Sequence, residues 1–197
     1  MTFILYSINK PLNLSTIIPS ADVLVQQCLN GEAAAYRALY DRYAKAMFNT
    51  ALRILNRTDD AEDILQEAFT DAFQQLSSFE GRSTFGAWLR QIVVYKSLAH
   101  LKKQKLHLNG LEADAENIAD ETLLEEDEVW YTVDSVKQAM QKLPDGYRTV
   151  LTLHLIEGFE QEEVAAMMKV AHSTVRTQYM RAKQKLLQVL KQEVYEQ

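Results

Sequence analysis

Apolar residues in this chain recur mainly every three or four positions, and that spacing restricts it to helices. In "YRALYDRYAKAMFNTALRIL", Tyr36, Leu39, Tyr40, Tyr43, Met47, Ala51 and Leu55 fall on one stripe, as residues on a single face of an α-helix do. "DDAEDILQEAFTDAFQQL" repeats the pattern with Ile64, Leu65, Ala68, Phe69, Ala72, Phe73 and Leu76. No alternating run bounded by turn residues argues for a sheet. Gly31, Gly81, Gly110, Gly146 and Gly158 lie between periodic segments, and Pro144 follows the helical "VDSVKQAMQKL", so each marks a turn or a helix end. The expected fold is all-α, with two small helical domains. The expected layout is an extension at 1–20, a helical bundle at 21–106, a connector at 107–130 and a second helical domain at 131–197.

Charge divides along the same lines. The net charge of −6 comes from one segment: residues 107–130 hold nine acids and no Lys or Arg, while 21–106 and 131–197 each stand at +1. Between Phe79 and Leu106, Arg82, Arg90, Lys96, Lys102, Lys103 and Lys105 oppose Glu80 alone. Between Lys169 and Lys191, Arg176, Arg181, Lys183 and Lys185 join the two end lysines with no acid among them. Two basic stripes flanking an acidic tether suggest two separate polyanion contacts. The tether is too polar to bury much surface, and its charge suits it to fold back on either stripe.

Cys28, the single cysteine, cannot form an internal disulfide; within "VLVQQCLN" it reads as a small buried hydrophobe in a reducing compartment. The leading "MTFILYSINKPLNLSTIIPS" lacks the basic start and the small-residue cleavage site of a secretion signal. No apolar run approaches membrane-spanning length, and a cytoplasmic location is expected.

The stretch "GFEQEEVAAMMKVAHSTVRTQYMRAKQKL", Gly158 to Leu186, reads as two helices across a tight turn. Val164, Ala165 and Met168 give the first helix an inward face, Val170 is expected to be buried in the turn, and Ser173 is expected to cap the second helix. Val175, Tyr179, Ala182, Leu186 and Leu190 share one face of that second helix. At about 100° per residue, Thr177, Met180, Arg181 and Gln184 then point outward. Thr174, Arg176, Lys183 and Lys185 occupy the flanks. A recognition helix needs this layout: an outward face that reaches base edges in the major groove, and basic flanks that meet phosphates on either side.

The residues just ahead, "LPDGYRTVLTLHLIEGFEQEEVA", resemble the start of the fourth conserved region of bacterial sigma factors. Leu143-Pro144, Arg148, an apolar helix and then Glu157-Gly158 carry the likeness, with Thr174-Val175-Arg176 and Arg181-Ala182-Lys183 further on. A second match is independent. "DDAEDILQEAFTDAF" followed by "LSSFEGRSTFGAWLRQIVVYKSLAHLKKQK" resembles the second conserved region of extracytoplasmic-function (ECF) sigma factors, the two-domain members of the sigma-70 family. Together the two matches cover roughly residues 22–106 and 131–191, in the family's order.

In the amino-terminal unit, Asp59 is expected to cap its helix while Glu62 reaches back as in a capping box. Asp63, Gln66, Glu67 and Thr70 form a polar ridge beside the apolar face. The resemblance implies that Asp63, Gln66 and Glu67 hold a coiled coil of core RNA polymerase. It implies that the loop "FEGRSTF" and the helix after it grip the minus-ten promoter element, through Arg82, Ser83, Thr84, Arg90, Tyr95, Lys96, Lys102 and Lys103. By the same resemblance, Ser173, Thr174, Arg176, Thr177, Arg181, Lys183 and Lys185 read the minus-thirty-five element. Trp88, within "FGAWLRQIV", reads first as core and second as a stacking platform for an unpaired base. Two departures matter: Tyr95 stands where many relatives have asparagine, and Gln178 where a basic residue is common. The family also implies an anti-sigma factor as partner.

The four histidines show no metal-ligand spacing, and neither a glycine-rich phosphate loop nor a nucleophile motif is present, so no enzyme activity, metal or cofactor is expected. The main rival is a stand-alone helix-turn-helix regulator, which would use the second basic stripe and leave the acidic ridge without a role. A helical interaction module with no DNA partner would give neither stripe a role.

Overall fold

A computed structural model of the chain describes residues 19–108 and 131–195, and these contain eight α-helices and no strand. The extension at 1–18 and the acidic segment at 109–130 lie outside the described residues. The first four helices are α1 (Ala21–Leu29), α2 (Ala33–Leu55), α3 (Thr58–Gln74) and α4 (Phe85–Leu108). The second group is α5 (Val133–Gln141), α6 (Asp145–Leu151), α7 (Gln161–Met168) and α8 (His172–Tyr195).

Local chemistry sets the helix ends. The Ser20 hydroxyl accepts the Val23 amide and opens α1, and the Thr84 hydroxyl does the same for Ala87 at the start of α4. Asn56 closes α2 with a left-handed backbone, φ 57°, a conformation asparagine tolerates better than most residues. α3 starts earlier than the expected Asp59 cap: Arg57 is its cap residue, without a capping side chain, and Asp59 and Asp60 sit inside the first turn. There their charge still favours the positive end of the helix dipole. Arg57 pairs instead with Asp60 at 3.1 Å.

α2 lies at the centre of the first group and touches α1, α3 and α4. Leu39, Ala51, Ile54, Ala61, Ala68, Ala72, Leu89, Val93 and Val94 are sealed from solvent between them. The alanines of α3 present no bulk, so larger side chains from α2 and α4 fill the space at near-crystalline density. α2 and α4 also approach closely at Gly86, where a Cβ would come within 2.7 Å of the Tyr43 ring. Cys28 is buried and unpaired. Burial pushes its thiol above the usual range and the charge of Glu32 adds to that, so it packs as an apolar group.

In the second group α8 is the spine, and α5, α6 and α7 pack against it. Arg148, buried on α6, donates to the Leu143 carbonyl at 2.8 Å and to Asp145 at 2.5 Å, closing the α5–α6 turn. α6 runs into a wider turn, Thr152–Ile156, where the Glu157 amide donates to the Thr152 carbonyl. Gly158, at φ 78°, then reverses the chain. The wide turn keeps Leu153 fully buried.

The two groups share one apolar cluster, in which Val150, Leu153, Phe159, Val164, Ala165, Met167 and Val175 join the residues of α1–α4. Since Leu39 is fully enclosed at the middle of this core, Leu39→Ala should lower the unfolding free energy by about 2–5 kcal/mol in urea denaturation. A loss below about 1 kcal/mol would show that the site is loosely packed.

Candidate nucleic-acid interface

The turn between α7 and α8 is built from backbone conformation and a reciprocal cap. The Glu163 carboxylate accepts the Glu160 amide at 2.8 Å and starts α7, and Lys169, at φ 57°, ends it. Val170 is not buried as expected but 38% exposed. The Lys169 reversal turns it outward, and Met167 fills the inward position. Ser173 does not cap α8 either: the helix begins at His172, with Ala171 accepting the first amides, so Ser173 lies within the first turn. Its carbonyl accepts the Thr177 hydroxyl at 3.0 Å.

α8 buries Val175, Ala182 and Leu190 and half-buries Tyr179 and Leu186. Ser173, Thr174, Arg176, Thr177, Arg181 and Lys183 are exposed, and Lys185 is half-buried. Met180 adds an exposed apolar side chain to the same outward face. The helix, 24 residues long, is about 36 Å from end to end, and its free face begins at its amino-terminal turns. His154 fixes the helix from behind: its Nδ1 donates to the Phe159 carbonyl at 2.8 Å and its ring meets Tyr179 edge-on.

The first basic stripe is differently disposed. Arg82, Ser83 and Thr84 are exposed on the loop before α4, and Arg82 pairs with Glu80 at 2.5 Å. The loop rims a hollow of about 200 Å³ lined by Ser78, Phe79, Glu80, Gly81, Arg82, Ser83 and Trp88. Trp88 is half-buried, with ring contacts to Phe79 and Phe85, so one part of it packs and another faces the hollow. Further along α4, Tyr95 is 51% exposed, and Lys102 and Lys103 are exposed.

Arg90 and Lys96 are engaged within the chain. Lys96 Nζ lies 2.7 Å from Asp71 and 3.3 Å from Glu67. Burial pulls its ammonium down, but the hydrogen bonds and charges of Asp71 and Glu67 outweigh this and hold it above its ordinary value of 10.5. A raised lysine value stabilises the fold fully below the unfolded value and is lost only as pH rises through the folded one. The ion pair is therefore complete near neutral pH.

On α3, Asp63, Gln66 and Glu67 are all exposed along one ridge. Glu67 is also the partner of Lys96, so an acid read as a docking contact and a lysine read as a strand contact meet in one ion pair. Beside the ridge, Tyr40, Phe48, Glu62, Leu65 and Gln66 line a shallow groove of about 300 Å³. An apolar floor with an acidic rim suits a basic amphipathic helix.

In the sequence Glu157 stands only within the Glu157-Gly158 pair, and its contacts are ones that the motif does not announce. Glu157, 6% exposed at its side chain, accepts hydrogen bonds from Arg53 at 2.6 Å and Thr50 at 3.1 Å. Arg90 donates to the Glu157 carbonyl at 3.0 Å and lies 3.9 Å from its carboxylate. The signal was its spacing, four residues after Leu153 and seven after Val150, which sets an acid on the apolar face of its helix. Arg53 gave no comparable signal.

Comparison with known proteins places both units. The sigma-70 region 2 family model matches residues 39–107 and the sigma-70 region 4 model matches residues 134–186. The RNA polymerase sigma-H factor of Pseudomonas aeruginosa is 30% identical over 174 residues, covering 82% of this chain and 89% of that protein. The ECF RNA polymerase sigma-E factor of Escherichia coli is 30% identical over 172 residues, covering 82% and 90%. Among solved structures, CnrH in complex with the cytosolic domain of CnrY superposes with a TM-score of 0.52 at 25% identity, over 87% of this chain and 98% of CnrH. The sigma factor RpoE of Bartonella quintana, in complex with the anti-sigma factor NepR, gives 0.53 at 23%, over 79% and 96%.

Proposed function

The chain belongs to the ECF group of the sigma-70 family of RNA polymerase sigma factors, and from that premise we propose how its surfaces divide the work of promoter recognition. As a sigma factor it is a transcription initiation factor that directs core RNA polymerase to promoters. In the proposed division, the helices at 21–106 carry docking and the minus-ten contact, and those at 131–197 the minus-thirty-five contact. Asp63, Gln66 and Glu67 dock on core polymerase, helped by the apolar groove beside them. Arg82, Ser83, Thr84, Tyr95, Lys102 and Lys103 meet the unpaired minus-ten strand, joined by Arg90 and Lys96 once these leave their internal partners. Trp88 walls the hollow into which an unstacked base fits, since aromatic surface and basic flanks together suit single strands. Tyr95, in place of asparagine, offers that strand a ring in place of an amide.

α8 lies in the major groove of the minus-thirty-five duplex. Arg181 reads base edges, Met180 suits a thymine methyl group, and Ser173, Thr174, Arg176, Thr177, Lys183 and Lys185 meet phosphates and flanking groups. The observation that carries this division is the pair of basic helix faces, one on each of the two regions matched by family models. A stand-alone regulator leaves the ridge on α3 and the whole region 2 match unused. An anti-sigma protein that covers both units is the proposed regulator. No described helix is long and apolar enough to cross a membrane.

Two variants test the assignment. Arg181→Ala should cost about 1–3 kcal/mol of holoenzyme binding to a promoter with an intact upstream element, and less once that element is scrambled. Equal weakening on both templates would reassign Arg181 to a phosphate. Asp63→Ala with Glu67→Ala should leave helicity unchanged by circular dichroism and reduce competition for core against a second sigma factor. Competition equal to wild type would refute the docking site.

A further inference from the structure

The buried carboxylate of Glu157 stands between the two helical groups. Thr50 and Arg53 donate to it from α2, and Arg90 of α4 lies 3.9 Å from it while donating to the Glu157 main-chain carbonyl. These residues are 67 to 107 positions away in sequence. Two further bonds cross the same boundary, from Arg148 to the Ile54 carbonyl and from Asn56 to the Gln141 carbonyl. In contrast to Glu157, the arginines remain about a third exposed, 35% for Arg53 and 36% for Arg90. The solvent-facing edges of their guanidinium groups are where another anion first meets them once the helical groups begin to part.

The closed arrangement cannot serve both promoter elements at once. Their names set them about 25 base pairs apart, roughly 85 Å along a duplex at 3.4 Å per pair. A compact body of this size is only about 40 Å across. When both elements are held, the groups must separate, and Glu157 must leave both arginines. An arginine that loses a carboxylate binds a phosphate with the same forked donors.

We propose that Glu157 is an internal stand-in for a strand phosphate: in the free chain it occupies Arg90 and Arg53, and the minus-ten strand displaces it from Arg90, so that closure and strand binding exclude one another. The Arg90 exchange and the need to open rest on the promoter contacts argued under the proposed function, while the closed contact itself does not. By linkage, whatever opens the chain strengthens the strand contact and the strand favours opening. A buried ion pair of this kind contributes little net stability against an apolar substitute but fixes one geometry. That property suits a latch that holds one docking register yet can be exchanged.

The test uses the intact chain without polymerase, so its outcome is independent of whether promoter-directed initiation occurs. Binding of a fluorescein-labelled single-stranded DNA 20-mer at low salt is followed by anisotropy, and the radius of gyration by small-angle X-ray scattering. Glu157→Gln, which keeps the volume and removes the charge, should raise oligonucleotide affinity about fivefold or more, the low end of typical coupling, and enlarge the chain. Adding Arg90→Ala should abolish the gain, and the exposed charge-matched control Asp134→Asn should show none. Arg53→Met opens the latch from the α2 side and should raise affinity in the same way, which keeps the test valid if Glu157→Gln folds poorly. Unchanged affinity and radius in both latch variants, or a gain that survives Arg90→Ala, overturns the proposal.

Discussion

The α2 helix is covered by α1, α3 and α4 along most of its length and by α6 near its end, and the positions that seal it decide where the other helices lie. Leu39, Ala51 and Ile54 admit no solvent. Each large apolar side chain buried in this way stabilises the fold by about 1.5–3 kcal/mol, and together they leave the polar faces of α3 and α4 turned outward. In its last turns the same helix changes character. Thr50 and Arg53 look across to Glu157, while the Ile54 carbonyl accepts from Arg148. One helix therefore supplies both the apolar core of the first group and the polar seam that receives the second.

The distribution of charge follows from that seam. Along the first basic stripe, Arg82, Arg90 and Lys96 each hold an acid of the chain itself. The outward face of α8 presents Arg176 and Arg181 to solvent. An exposed pair such as Arg82–Glu80 is worth at most about 1 kcal/mol and gives way easily to a phosphate. The carboxylate of Glu157 is enclosed and accepts from Thr50 and Arg53, with Arg90 3.9 Å away, so in the proposed exchange a whole helical group moves. On the proposed assignment of the two faces, the free protein presents its duplex-reading face openly and keeps part of its single-strand face engaged. This order suits a factor that meets duplex before melted DNA.

Much of this was legible in the sequence, and the remainder was hidden for physical reasons. The stripes of α2, α3 and α8 were readable because burial imposes a 3.6-residue period on any helix with one apolar face. Leu39, Ile64, Ala68, Val175 and Ala182 all lie inside. Helix starts were less legible: Asp59 and Ser173 have the chemistry of caps, but the helices begin one residue before each of them. Val170 was misplaced because a left-handed Lys169 sets the direction of the chain beyond it. The partners of Arg90 and Lys96 could not be read, since an ion pair between helices depends on packing angles that no local pattern records. Glu157 is the intermediate case, with a period that pointed inward and a charge that argued against it.

Two helical units of one polypeptide, on the proposed function, contact separate promoter elements while attached to core polymerase. Sequencing the 5′ ends of transcripts made by core enzyme with and without this chain, on fragmented genomic DNA, examines that most directly. New start sites that share two upstream sequence elements at a fixed spacing are expected, present only when the chain is added. Transcripts identical to those of core enzyme alone, or new starts that share a single element, would contradict that function.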